Sequence, residues 1–134
     1  METKIINQNA IIAEFMGLNK KIVHFEKFYS WSDAPFFYTT EESKEKVVEN
    51  IAKYSKYHSD WNWLMEVVEK IEKTRRSQWS KYTFACVKIS SFGCDIIFYG
   101  NRKEIISDIV RPSKIEAVYD ACVKFIKWHN QQNY

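Results

Sequence analysis

The sequence predicts an α+β fold, a small antiparallel sheet packed against several α-helices in one domain spanning residues 1–134. Three observations carry that expectation. Two segments, Trp61 to Ile71 and Ile115 to His129, place apolar residues at helical spacing. Two β-branched and aromatic runs, Lys81 to Ile89 and Cys94 to Tyr99, flank a short Ser-Ser-Phe-Gly link, the pattern of an antiparallel hairpin. The length of 134 residues suits one domain, and only 3 Gly and 2 Pro exclude collagen-like or turn-dense designs.

In chain order, the first element is a helix over Asn7 to Met16, with Ile12, Phe15 and Met16 on one face and Gly17 as its stop. Lys20 to Tyr29 alternates loosely, with Val23 and Phe25 on one side, and predicts a strand. Phe36 to Thr39 predicts a second, short one. Thr39 and Glu42 stand at capping-box spacing before a helix that carries Val47, Val48, Ile51 and Tyr54. After a break at Ser55 to His58, Ser59 is the expected N-cap of a strongly amphipathic helix. Its expected core stripe is Trp61, Leu64, Met65, Val68 and Ile71.

The hairpin strands have apolar residues on both faces, which predicts a central position under helices. Arg102 to Val110 is compatible with an edge strand or a helical turn. The last helix opens at Pro112-Ser113, with Ser113 and Glu116 in capping-box register. Its stripe is Ile115, Val118, Tyr119, Cys122, Phe125, Ile126 and His129.

Composition narrows the setting. No apolar run approaches the roughly 20 residues that cross a bilayer, and the first residues lack the basic-then-apolar plan of a signal peptide. Three cysteines without CxxC spacing suit buried thiols in a reducing cytoplasm, although Cys86 and Cys94 are close enough in sequence to meet across the hairpin. The net charge of +3 is too small to impose a nucleic-acid partner.

Three segments also carry a resemblance. IAEFMG (Ile12 to Gly17), YHSDWNWLMEVVEKIE (Tyr57 to Glu72) and KIEAVYDACVKFIKWHN (Lys114 to Asn130) resemble, in order and spacing, a family of small uncharacterised proteins of Bacteroidetes bacteria, their phages and mobile elements. Residues 1–9 and 28–54 depart from that family's pattern. The family brings no known catalytic residues. What the resemblance implies is a cytoplasmic accessory protein that binds a host protein or complex, with blockers of host defence such as CRISPR inhibitors as one such class. That last step is analogy.

Candidate sites divide by chemistry. His58 and Asp60 form an HxD pair, but a metal needs three or more ligands and no second cluster has matching spacing. A helix start with Ser59 and Asp60 is the simpler account, and no metal or cofactor is expected. Lys73, Arg75, Arg76 and Lys81, interleaved with Trp79 and Tyr82, are the alternative of a nucleic-acid-binding patch, although Glu66, Glu69 and Glu72 dilute it. Glu41, Glu42, Glu45 and Glu49, mixed with lysines, read as a solvated helix face. A small enzyme would need Cys86 or Cys94 beside His24, His58 or His129. No catalytic motif supports one, so a non-enzymatic role is expected.

The aromatic load of 5 Trp, 8 Tyr and 9 Phe is the remaining clue. Phe15, Phe25, Trp61, Phe84, Phe98, Tyr119 and Phe125 fall at expected core positions. Trp31, Phe36, Phe37, Trp63, Trp79 and Trp128 have no stripe or strand that buries them, so they are the expected partner-binding residues, with self-association through Trp63 or Trp128 also open.

Overall fold

A computed structural model describes residues 3–17, 22–24, 36–38, 52–74, 84–99 and 103–132. The α+β architecture is as expected. The chain gathers into two compact units, Met1–Ser55 and Lys56–Tyr134.

The first unit opens with helix α1 (Thr3–Phe15), which starts one turn before its apolar face. Gly17 ends it at φ +76°, in the left-handed region that a glycine enters without strain, and its N–H donates to the Glu14 carbonyl. Ile12 and Ala13 are buried, and so is Asn9, whose amide nitrogen donates to the carbonyls of Ala52 and Ser55, 3.3 Å from each. One polar side chain thus ties α1 to the helical turn at 52–54. Strands β1 (Ile22–His24) and β2 (Phe36–Tyr38) pair in parallel, Val23 opposite Phe37. The remainder of the expected strand over Lys20 to Tyr29, and residues 39–51 of the expected Glu- and Lys-rich helix, lie outside the described residues.

The second unit is three strands and two helices. Helix α2 (Trp61–Lys73) is capped not by Ser59 but by Asp60, whose carboxylate accepts the Asn62 N–H at 2.8 Å; Ser59 instead belongs to the preceding turn. Its buried stripe is Leu64, Val67, Val68 and Ile71. Trp61 and Met65, expected in the core, are each 39% exposed. The true stripe centres on Val67, which turns Met65 outward, and Trp61 sits in the first turn, at the edge of the packed surface.

Strands β3 (Phe84–Ile89), β4 (Gly93–Tyr99) and β5 (Lys103–Val110) form an antiparallel sheet in the order β3-β4-β5. The Arg102 to Val110 segment is therefore a strand from Lys103 onward. The hairpin link is tighter than its sequence suggests: Ser90 N–H donates to the Gly93 carbonyl, leaving Ser91 and Phe92 as the turn. Gly93 starts β4 where a Cβ would stand 3.1 Å from the Ile109 carbonyl oxygen, so the glycine admits β5 at close range. Of the two hairpin strands only β4 is paired on both sides among the described residues; β3 is paired with β4 alone, and Phe84, expected in the core, is 43% exposed there.

Helix α3 (Lys114–Asn130) packs on β4 and β5, α2 packs on β3, and the two helices touch. Ser113 holds the N-cap position with extended backbone but makes no side-chain capping bond. The expected stripe is buried at Val118, Tyr119, Cys122, Phe125 and Ile126. Ala117, Ala121 and Val123 are buried as well, so α3 is covered on more than one face. Arg111 links β5 to α3 by donating to the Asp120 carboxylate at 2.8 Å and to the Val110 carbonyl at 2.7 Å.

Candidate interaction surface on the open sheet face

Side chains of directly paired strand residues project to the same side of a sheet. The register therefore sorts the second unit's strands into two faces. Ala85, Val87 and Ile89 lie with Phe98, Ile96 and Cys94; of these, Ala85, Cys94, Ile96 and Phe98 are buried, which makes this the face under α2 and α3. The other face carries three rows: Phe84, Tyr99 and Lys103; then Cys86, Ile97 and Ile105; then Lys88, Asp95 and Asp108. Beyond them Val110 stands across from Gly93.

This open face is apolar and is bare along its outer strands β3 and β5, whereas Ile97 on the central strand is buried. Ile105 is 64% exposed and Val110 67%, and the Phe84 ring stacks on Tyr99 with centroids 5.1 Å apart. Phe92, exposed at the hairpin turn, extends the apolar character past Val110, because its carbonyl accepts the Arg111 N–H at 2.7 Å. Single exposed apolar residues are ordinary; a set aligned by strand register on one face is the feature that marks interaction surfaces. The row of Lys88, Asp95 and Asp108 gives this face charges of both signs. Asp95 and Asp108 are directly opposed and hydrogen-bonded to each other. Burial, that bond and the Asp108 charge together raise the Asp95 carboxyl above the usual carboxylate range, with Lys88 acting in the opposite direction.

The residues expected to bind a partner distribute otherwise. Trp63 is half-buried and meets Tyr57 edge to face at 5.0 Å. Trp128 is half-buried between Phe98 and Phe125, both at 5.6 Å. Phe36 and Phe37 lie in β2, while Trp31 and Trp79 fall outside the described residues. Sequence reasoning missed Phe84, Ile105 and Val110. The signal that finds them is strand register, β3–β4 for Phe84 and β4–β5 for Ile105 and Val110, the latter concealed by the sequence of β5.

The basic candidates are described only at Lys73, in the last turn of α2; Arg75, Arg76 and Lys81 lie outside the described residues. Asp60 of the HxD pair is occupied in capping, and the His58 ring lies edge-on to Tyr119, 6.2 Å away, with burial lowering its pKa. Among the described residues no three His, Cys, Asp or Glu side chains come together as a metal site.

The cysteines separate too. Cys86 is on the open face and Cys94 on the covered one, so their side chains do not meet across the hairpin. Burial pushes the Cys94 thiol up to about 12 and raises Cys122 well above its ordinary value, which keeps both as thiols, not nucleophilic thiolates. His129 stacks on the Phe125 ring at 6.1 Å, and its pKa is lowered by burial and by Lys70. Among the described residues no helix is long and apolar enough to cross a membrane. Comparison of the chain with protein-family models, curated proteins and solved structures gave no match.

Proposed function

We propose that the protein is a non-catalytic binding protein that engages another protein through the open face of its three-stranded sheet. The observation that carries this is the aligned set of exposed apolar side chains, Phe84, Ile105 and Val110, on a face that α2 and α3 leave uncovered. The chemistry of that face favours a protein over a nucleic acid. Phosphate backbones are held by unopposed cations, whereas Lys88 here stands beside Asp95 and Asp108. An apolar centre bordered by mixed charges is the make-up of a protein–protein contact. Set beside the mobile-element resemblance, the partner is a host protein in the cytoplasm, and a component of a host defence system is the class to test first.

The test is affinity capture from lysate of a Bacteroidetes host at low salt, comparing the wild-type chain with a Phe84→Ser/Ile105→Ser variant of unchanged far-UV circular dichroism. A discrete host protein retained by the wild type and lost by the variant supports the proposal. Equal retention by both, or none by the wild type, overturns it. A gel shift with single-stranded DNA that fades as salt rises would move the assignment to the basic segment of Lys73, Arg75, Arg76 and Lys81 instead.

A further inference from the structure

We propose that two copies of this chain associate about a two-fold axis by antiparallel pairing of β5 with β5, joining their sheets edge to edge. Among the described residues β5 is hydrogen-bonded to a neighbouring strand on one side only, that of β4. Such an edge is a template for a further strand unless charge or shape forbids it. In β5 the charge pattern invites its own copy.

With the axis at the bulge, Lys103 of one copy faces Asp108 of the other and Glu104 faces Ser107, while Ile105 and the unpaired Ile106 lie at the axis. The segment KEIISD is thus a chemical palindrome. In an uninterrupted strand this alignment would fail, because residues five apart, such as Lys103 and Asp108, project to opposite faces. The β-bulge removes that obstacle. Ile97 pairs with Ile105 while Ile96 pairs with Ser107, so Ile106 is the extra residue and the alternation resets there. Lys103 and Asp108 then both project from the open face, and Glu104 and Ser107 both from the covered one.

Two local features of the chain are answered by the second copy. Asp108 is opposed by Asp95, a like-charge pair of the kind that destabilises antiparallel ladders; a lysine arriving on its other side supplies the counter-charge. Among the described residues the buried Ser107 hydroxyl has no hydrogen-bond partner, and the pairing sets the Glu104 carboxylate of the second copy opposite it. Edge pairing leaves the open face free, so this proposal does not depend on the protein-binding one.

Sedimentation equilibrium of the full-length chain tests it, using Lys103→Asp, Asp108→Lys and the double swap K103D/D108K, each checked for native circular dichroism. The wild type is expected at twice 16.1 kDa. Each single variant sets two like-charge pairs across the axis and is expected to weaken association by about tenfold or more. The double swap restores opposite charges and is expected to restore the dimer. A monomeric wild type at about 100 µM overturns the proposal. So does undiminished association of the single variants, or a folded double swap that stays monomeric.

Discussion

Asn9→Asp changes one atom's chemistry in α1 and nearly nothing of its shape, and it isolates the contact that ties α1 to residues 52–55. The Asn9 amide nitrogen is buried and gives one N–H to each of two carbonyls, Ala52 and Ser55, at 3.3 Å. Both bonds are at the long end for N–H···O, so each is worth the lower part of the usual range, about 0.5–1 kcal/mol. In the variant an oxygen replaces the donor. Both bonds are lost, and a charge acceptor faces two carbonyl acceptors in a buried site, where an unmet polar group costs about 1–3 kcal/mol. The sum is a loss of about 2–5 kcal/mol at neutral pH. Desolvation and the facing carbonyls raise the new carboxyl's pKa. Protonation in the folded state is then favoured, so the deficit is full at neutral pH and shrinks as pH falls towards about 4, where a carboxyl O–H can donate to one carbonyl again. Urea unfolding of the full chain followed by far-UV circular dichroism at the two pH values measures both effects. A variant within about 0.5 kcal/mol of wild type at neutral pH, or an identical deficit at both pH values, refutes the assigned role.

Two further substitutions test the second unit. Asp60→Ala removes the α2 cap and is expected to cost about 1 kcal/mol in thermal or urea unfolding, while Ser59→Ala stays within about 0.5 kcal/mol; the reverse order would return the cap to Ser59. Asp95→Asn replaces the carboxyl whose pKa is raised in the fold. The stability tied to its protonation is present at low pH and fades as pH rises through the folded-state value. The variant should therefore be more stable than wild type at pH 7, by a few tenths of a kcal/mol up to about 1, with the gap closing near pH 4. A gap that widens on acidification would contradict the Asp95–Asp108 opposition.

Where the sequence is single-valued, the fold follows it. The last helix has one apolar stripe from Val118 to Ile126 and buries it. Helix α2 is different, because Trp61, Trp63, Leu64, Met65, Val67, Val68 and Ile71 fit two overlapping stripes, one through Met65 and one through Val67. Periodicity cannot choose between them; packing against β3 and α3 does, and it chooses Val67. The cap is ambiguous for a similar reason: Ser59 and Asp60 are adjacent and both are good capping residues, and only the turn that places the Ser59 N–H on the Lys56 carbonyl decides between them. The aromatic residues were hardest to sort. Trp63 and Trp128 fall off their helices' main stripes yet find rings to pack on, Tyr57 for one and Phe98 with Phe125 for the other. Phe84 sits in a strand rich in apolar residues yet projects from the open face. A ring's burial depends on what the rest of the chain brings over it.

The β5 segment joins these threads. Its apolar residues, Ile105, Ile106, Ile109 and Val110, recur in adjacent pairs four apart, a spacing that fits a helix as well as a strand. A regular strand would show strict alternation, and β5 does not, because the bulge at Ile106 resets the pleat halfway along. The same extra residue directs Ile105 and Val110, which are an odd number of positions apart, to the same open face, and brings Lys103 and Asp108 onto that face with them. A single inserted position therefore obscures the strand in the sequence, assembles the apolar face proposed to take a partner, and gives the edge a charge pattern complementary to itself. Deleting Ile106 would restore alternation and leave Lys103, Ile105, Asp108 and Val110 together on the open face, because they would then stand an even number of positions apart. The bulge is thus how the sequence carries an extra residue in β5 while both proposed contacts keep their side chains on one face.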